Sequence, residues 1–401
     1  MLFGIFSIPG LANGNFMKEL MKIIGLNVRF HTYDGVVQAV DNINLDIRPE
    51  ETFGLVGETG CGKTVTALSI LRLISSPGKI EAGHIFLSAD AIAEPVDLLT
   101  LSEEKLREIR GSWISMIFQE PSAALNPVFT IGEQIAEVIL LHRQQEAAEK
   151  AIRTVDKLLL ERHDFFSLLA RPVWLVEKNL YQQIIQYLPS WQVRIIRRIP
   201  LIRRLLWRLK DEAGKMVISV LKDVEIPDAD RIFHRYPHEM SGGMKQRAVI
   251  AMALACSPML LIADEPTTSL DVTIQAQILR LMNHLKTDKK ASILYITHDL
   301  AVAAELCDRI GVMYAGSLCE VAGVNEIFAN PLHPYTHALL EAVPKPGVEP
   351  TPIGGYLPDP TNLPSGCKFH PRCPRAMEVC QQKTPVMEEV TTGHIVACHL
   401  Y

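Results

Sequence analysis

Lys63 and Thr64 close the run Gly57-Glu58-Thr59-Gly60-Cys61-Gly62-Lys63-Thr64, in which three glycines precede an amine and a hydroxyl. That order suits a polyanion. Glycine at 57, 60 and 62 lets backbone N–H groups approach phosphate oxygens, because no Cβ intervenes. Lys63 would carry charge to the outer phosphates, and the Thr64 hydroxyl would enter a Mg2+ shell. The run fits G-x-x-x-x-G-K-[ST], a phosphate-cradling P-loop. Further along lie four more candidates. Asp264-Glu265 pairs a Mg2+ carboxylate with one that could orient and polarise an attacking water. Gln119 and His298 are polar residues at the ends of apolar runs, and Ser241-Gly242-Gly243 is a second small-residue anion site.

Positioning these residues requires particular elements. Phe53-Gly54-Leu55-Val56 predicts a short buried strand, and Val65 to Leu71 a helix with an apolar stripe. The P-loop then turns strand into helix, and the helix dipole points at the anion. Met259 to Ala263, Ile293 to Thr297 and Ile114 to Phe118 are apolar runs that suit parallel strands buried on both faces. They end at Asp264, His298 and Gln119, so three strands would deliver polar groups to one sheet edge. Ser241-Gly242-Gly243-Met244 would precede a helix from Lys245 to Ala255, where Ser-Gly-Gly also serves as an ordinary N-cap.

In this order the motifs resemble those of the ATP-binding cassette (ABC) ATPases over about residues 22–325. The resemblance identifies a Q-loop at Gln119, a signature at Ser241-Gly242-Gly243, a D-loop at Ser269-Leu270-Asp271 and a switch histidine at His298. It implies an α/β fold: a P-loop NTPase (RecA-like) core, an antiparallel β subdomain, a helical subdomain over about 120–235 and a Cys-containing C-terminal extension over 326–401. It also implies ATP with Mg2+ held by Thr64, Gln119 and Asp264. Glu265, His298 and Gln119 would be catalytic. Tyr33 would stack on adenine, with Phe30 as its rival. Each ATP of a head-to-tail dimer would lie between one chain's P-loop and the other's signature. Met244 stands where the commonest signature has Gln, as is usual in the peptide-importer branch. Cys61, at a helix N-terminus beside Lys63, is expected to have a lowered pKa, to alkylate readily and to be shielded by Mg-ATP.

The tail resembles one branch more narrowly. Asn330-Pro331-Leu332-His333-Pro334-Tyr335-Thr336 and Gly366-Cys367-Lys368-Phe369-His370-Pro371-Arg372-Cys373-Pro374 look like the C-terminal extension of oligopeptide/dipeptide importer ATPases. The implied partners are a second ABC ATPase subunit, two transmembrane permease subunits and an extracytoplasmic peptide-binding protein, with this chain peripheral on the cytoplasmic face of the membrane. Nickel chelates or oligosaccharides remain alternative cargoes. Cys367, Cys373, Cys380 and Cys398 are four thiols in a loop-like stretch, a donor set for a tetrahedral metal or cluster. Their spacing alone favours zinc; the resemblance implies a [4Fe–4S] cluster. Loss of Cys373 is expected to loosen residues from about 345 onward and to spare ATP binding at a distant P-loop.

Composition sets bounds on these readings. A net charge of −5 is not that of a broadly nucleic-acid-binding chain, and the chain shows no internal repeat of the kind a tandem cassette carries. Both features argue against a non-transport ABC ATPase acting on nucleic acid. Residues 1–21 read as an N-terminal extension without a basic start, so a secretory signal is not expected, and Met17 or Met21 could be the initiator. Residues 171–210 hold nine Lys/Arg against the single acid Glu177, together with Trp174, Trp191 and Trp207. This basic insertion, about 165–215, reads either as a helix at 190–210 lying on an anionic membrane surface or as a helical hairpin with a solvated Arg face.

Overall fold

Alternation and continuity of apolar residues divide the strands of this computed structural model into two kinds. It describes residues 19–89, 94–161, 165–186, 205–268, 270–343 and 352–401, with the backbone alone at 165–169 and 289. Among these residues the strands are β1 (Met21–Thr32), β2 (Gly35–Ile47), β3 (Thr52–Val56), β4 (Gly78–Leu87), β5 (Val96–Asp97) and β6 (Ile114–Ile117). They continue with β7 (Leu260–Asp264), β8 (Ser292–Thr297), β9 (Arg309–Tyr314), β10 (Ser317–Gly323), β11 (Glu388–Thr391) and β12 (His394–Val396). Two compact units result, one from residues 1–106 with 285–401, the other from 107–284.

The first unit carries an antiparallel sheet in the order β2-β1-β4-β5. β1 buries Met21, Ile23, Leu26 and Val28, and a register shift after Ile23 coincides with Gly25 at φ +59°. In the same unit β3 pairs in parallel with both β8 and β9, and all three strands are buried along their whole length. They have to be apolar throughout, because both faces of such a strand are covered. β9 turns back antiparallel into β10, and the tail adds β12 beside β10 and β11 beside β12. The tail is thus joined to the core by backbone hydrogen bonds. It is also held by a ring cluster: Tyr314 lies 4.7 Å from Tyr335 and 5.2 Å from Phe369, centroid to centroid.

The second unit pairs β6 and β7 in parallel and is otherwise helical. The helix Ile131–His142 starts where Thr130 and Glu133 form a reciprocal capping box, and it buries Ile131, Ile135 and Ile139 at helical spacing. The helix Trp207–Asp223 buries Leu209, Ala213, Met216, Val217, Val220 and Leu221. Of the basic insertion, residues 187–204, with Trp191 and the Arg194 to Arg204 series, lie outside the described residues, as do 1–18 and Ser269. On its flanks Trp207, Val173, Leu175 and Val176 are exposed, while Tyr181 and Ile184 are buried. Trp174 is buried rather than interfacial, and Arg208 Nε meets the buried Glu177 carboxylate at 2.9 Å. No helix among the described residues is long and apolar enough to cross a membrane.

Candidate nucleotide site

β3 and β8 run side by side with Val56 opposite Thr297, so the chain enters the P-loop at Gly57 on the same sheet edge where His298 follows β8. The loop conformation explains its glycines. Gly62 sits at φ +104°, and a Cβ there would strike the carbonyl oxygen of Ala39; at Gly57 (φ +155°) it would strike that of Met313. Gly62 also N-caps the helix Lys63–Ile70, which begins two residues earlier than the apolar stripe predicts. The buried Lys63 ammonium folds over the loop, donating to the carbonyls of Gly57 (2.7 Å) and Glu58 (3.0 Å). Thr64 is exposed on the first helical turn. Tyr33 is fully exposed at the β1–β2 turn, whereas the Phe30 ring lies close against Gly78, which leaves Tyr33 as the free aromatic face.

Cys61 departs from expectation. It is only 2% exposed, and burial raises its thiol pKa by more than the neighbouring Lys63 charge lowers it. The helix N-terminus and the lysine are present, but desolvation of the thiolate outweighs them.

In the second unit β6 and β7 pair Ile117 with Ala263 and so bring Gln119 to Glu265. The Gln119 amide donates to Glu265 Oε2 at 3.1 Å, and the Thr268 hydroxyl donates to the same oxygen at 2.9 Å. Glu265 has φ +45°, a left-handed backbone that costs a non-glycine residue energy and is concentrated at functional sites. Asp264 beside it is buried at the strand end. Ser241 is the N-cap of a helix running Gly242–Leu254, three residues longer at its start than predicted, and its hydroxyl accepts from the Met244 N–H at 3.4 Å. Gly243 is needed for packing, since a Cβ there would sit 2.8 Å from Ile274 Cγ2, while Gly242 faces open space. Gln246 ties this helix to the carboxylate segment by donating to the Pro266 carbonyl at 2.6 Å.

The tail cysteines converge without forming a ligand set. Among the described residues no group of three or more His, Cys, Asp or Glu is arranged to hold a metal ion. The expected [4Fe–4S] cluster or zinc site is therefore not preformed. Burial raises the thiol pKa of Cys367, and the thiols of Cys380, Cys398 and Cys373 add to the rise, so the four share one neighbourhood. Three of them accept a backbone N–H from the second residue onward: Cys367 from Phe369, Cys373 from Arg375, Cys398 from Leu400. Cys380 Sγ accepts from the Met377 N–H at 3.4 Å. Cys256, Cys307 and Cys319 lie apart from these in sequence, and burial pushes Cys307 up to about 12.

The P-loop is not distant from this tail, contrary to the sequence expectation. Glu58 is bound by two tail residues, Tyr335 and Arg372. Sequence separations of 277 and 314 residues hid these contacts, and neither residue belongs to a nucleotide-binding motif.

Residues 40–268 match the ABC transporter family, and residues 319–380 match the C-terminal region of oligopeptide/dipeptide transporters. A probable peptide ABC transporter ATP-binding protein of Sinorhizobium fredii is 40% identical over 383 residues, 94% of each chain. The dipeptide transport ATP-binding protein DppD of Bacillus subtilis is 39% identical, covering 96% of this chain and 95% of that one. The oligopeptide transport ATP-binding protein OppD of Escherichia coli is 38% identical over 94% of this chain and 92% of its own. A bacterial ABC transporter cassette solved as a dimer aligns with a TM-score of 0.51 at 20% identity, covering 76% of this chain and 98% of that one, a likeness of fold. The protein is a P-loop ATPase of the cassette type. It belongs to the ABC transporter ATP-binding proteins, within their oligopeptide/dipeptide branch.

Proposed function

We propose that this chain is the ATP-hydrolysing subunit of a peptide importer, working at the cytoplasmic face of the membrane. The observation that carries the reading is one chain holding both a nucleotide apparatus and a tail of the peptide-transporter type. Lys63 and the loop N–H groups would bind the phosphates, and Thr64, Gln119 and Asp264 would hold Mg2+, which supplies charge neutralisation at the transferring phosphoryl group. Glu265 would take the proton of the attacking water, with Gln119 holding its carboxylate in place and His298 contacting the outer phosphate. Ser241, Gly242 and Gly243 would meet the ATP bound by a second ATPase subunit. Tyr33 would stack on the base.

The helical unit offers a surface for a permease partner. A cavity of about 810 Å3 is lined by Phe129, Leu140, Leu141, Trp207 and Phe233, and Phe129, Leu141 and Trp207 are exposed there. Apolar clefts of this size, rimmed by charges such as Glu133 and Lys215, suit an inserted helix end. The tail thiols are a subsidiary proposal. Four sulfurs, each given one N–H donor, suit a [4Fe–4S] cluster or zinc once deprotonated, and iron and zinc analysis of anaerobically purified protein decides between them.

The test is uptake. Cells lacking this chain should fail to import a labelled peptide, and wild-type chain but not the Glu265→Gln variant should restore it. Restored uptake of a nickel chelate or an oligosaccharide instead of peptide would replace the cargo while keeping the machinery.

A further inference from the structure

Glu58, the second residue of the P-loop, is gripped on three sides. Its carbonyl accepts from Lys63 at 3.0 Å. Its backbone N–H donates to the hydroxyl of Tyr335 at 3.0 Å. Its carboxylate takes both outer nitrogens of Arg372, Nη1 at 2.9 Å and Nη2 at 3.2 Å. Two of the three partners belong to the C-terminal extension. Arg372 is itself fixed: Nε donates to the Gly354 carbonyl at 2.9 Å and Nη1 to the Tyr314 hydroxyl at 3.3 Å, and its side chain is 5% exposed. Burial works against its charge, yet the Glu58 carboxylate and the Tyr314 hydroxyl outweigh that and hold the guanidinium pKa above its usual value. Nearby, Lys368 donates to the Ala315 carbonyl at 2.9 Å and the Ser317 hydroxyl at 2.7 Å, and pairs with Asp41 at 2.8 Å. Both basic residues lie within the Cys367–Cys373 segment.

We propose that Arg372 is a positioning residue for the nucleotide site: it fixes Glu58, and through it the P-loop and Lys63, so that the folded tail sets the affinity for ATP. The proposal rests on reading residues 57–64 as the phosphate cradle. A bidentate guanidinium–carboxylate pair imposes a direction as well as a charge, which a single ammonium does not. The clamp acts on the loop before and during reaction alike. Its loss therefore weakens binding of substrate and transition state together, which raises KM and leaves kcat in place.

The test uses the full-length chain, a fluorescent ATP analogue for Kd, and steady-state hydrolysis. Arg372→Ala should raise Kd and KM for Mg-ATP about tenfold, as loss of a hydrogen-bonded charge implies, with kcat within about twofold of wild type. Arg372→Lys should recover only part of the affinity. Glu58→Gln, which leaves the tail sequence untouched, should weaken binding by a similar factor even if Arg372→Ala does not fold. Combining Glu58→Gln with Arg372→Ala should add little to either alone. Unchanged ATP affinity in Arg372→Ala and Glu58→Gln, with only a lowered melting temperature, would overturn the proposal and leave Arg372 as a tether. Lys63→Ala separates the two readings: if that variant binds ATP normally, the phosphate-cradle assignment fails first.

Discussion

Gln119 Nε2 lies 3.1 Å from Glu265 Oε2, an oxygen that also accepts from the Thr268 hydroxyl at 2.9 Å. Two donors on one oxygen fix the orientation of the Glu265 carboxylate at the end of β7. Glu265→Gln keeps the shape and the acceptor oxygen but loses the basic carboxylate. Turnover should fall by about 10²–10⁴-fold while ATP binding persists and an ATP-bound dimer accumulates. Single-turnover hydrolysis together with size-exclusion chromatography in Mg-ATP checks both. Hydrolysis at the wild-type rate would remove Glu265 from the chemistry.

Cys61 should resist alkylation in the native protein. It is buried and its thiol pKa is raised by desolvation, so little thiolate is present near neutral pH. Iodoacetamide labelling followed by mass spectrometry should find Cys61 unmodified with or without nucleotide, and modified after denaturation. Rapid labelling of the folded apo protein would contradict the burial argument.

Acid should loosen the tail before it affects the P-loop itself. Burial lowers the pKa of His333 to about 4, although the neighbouring Glu320 carboxylate opposes the shift. Its Nδ1 accepts the Tyr335 N–H at 3.0 Å and caps the helix Pro334–Glu341, an acceptor role that protonation destroys. The unfolded chain binds the proton first, near the ordinary 6.5, so this stability is full above pH 6.5 and is lost as pH falls toward 4. At about 1.4 kcal/mol per pH unit the loss is on the order of 3 kcal/mol. Thermal unfolding from pH 7 to 4 should show that slope, and His333→Asn should flatten it.

The nucleotide motifs were legible because each is local. Gly57 and Gly62 are demanded by carbonyls of Met313 and Ala39 that no other residue type tolerates, and apolar runs located the strands carrying Asp264, His298 and Gln119 to within a residue or two. What stayed hidden depends on the third dimension. The sequence neighbours of Cys61 favour a thiolate, whereas its burial, which decides the pKa, depends on packing by parts of the chain distant in sequence, such as the Gly316 N–H that bonds its carbonyl at 2.9 Å. Trp174 belonged to a basic, tryptophan-rich stretch, and only packing shows it to be core. The Arg372–Glu58 pair spans 314 residues, and no periodicity announces a contact of that separation.

Glu320 should be the residue on which the tail's docking depends most. It is fully buried in β10 and satisfied by three donors from the tail: Leu332 N–H at 2.8 Å, His333 N–H at 2.9 Å and His394 Nε2 at 2.6 Å. The first two hold the chain entering the helix Pro334–Glu341, and the third holds β12. Alanine at 320 removes all three acceptor contacts and leaves the buried His333 N–H and His394 Nε2 without that partner. At about 1–3 kcal/mol for each buried group left unpaired, the cost is several kcal/mol, borne by the Glu320 contacts while the Arg372–Glu58 and Lys368–Asp41 pairs still hold the tail elsewhere. Glu320→Gln retains one acceptor oxygen and should fall between. In hydrogen exchange, amides of Leu332, His333 and Ala397 should lose protection in Glu320→Ala, while those of β3 and β8 keep theirs. If protection at all five places drops together, the tail and the core unfold as one cooperative unit; if none drops, the buried carboxylate contributes nothing to docking and the argument from unpaired donors fails.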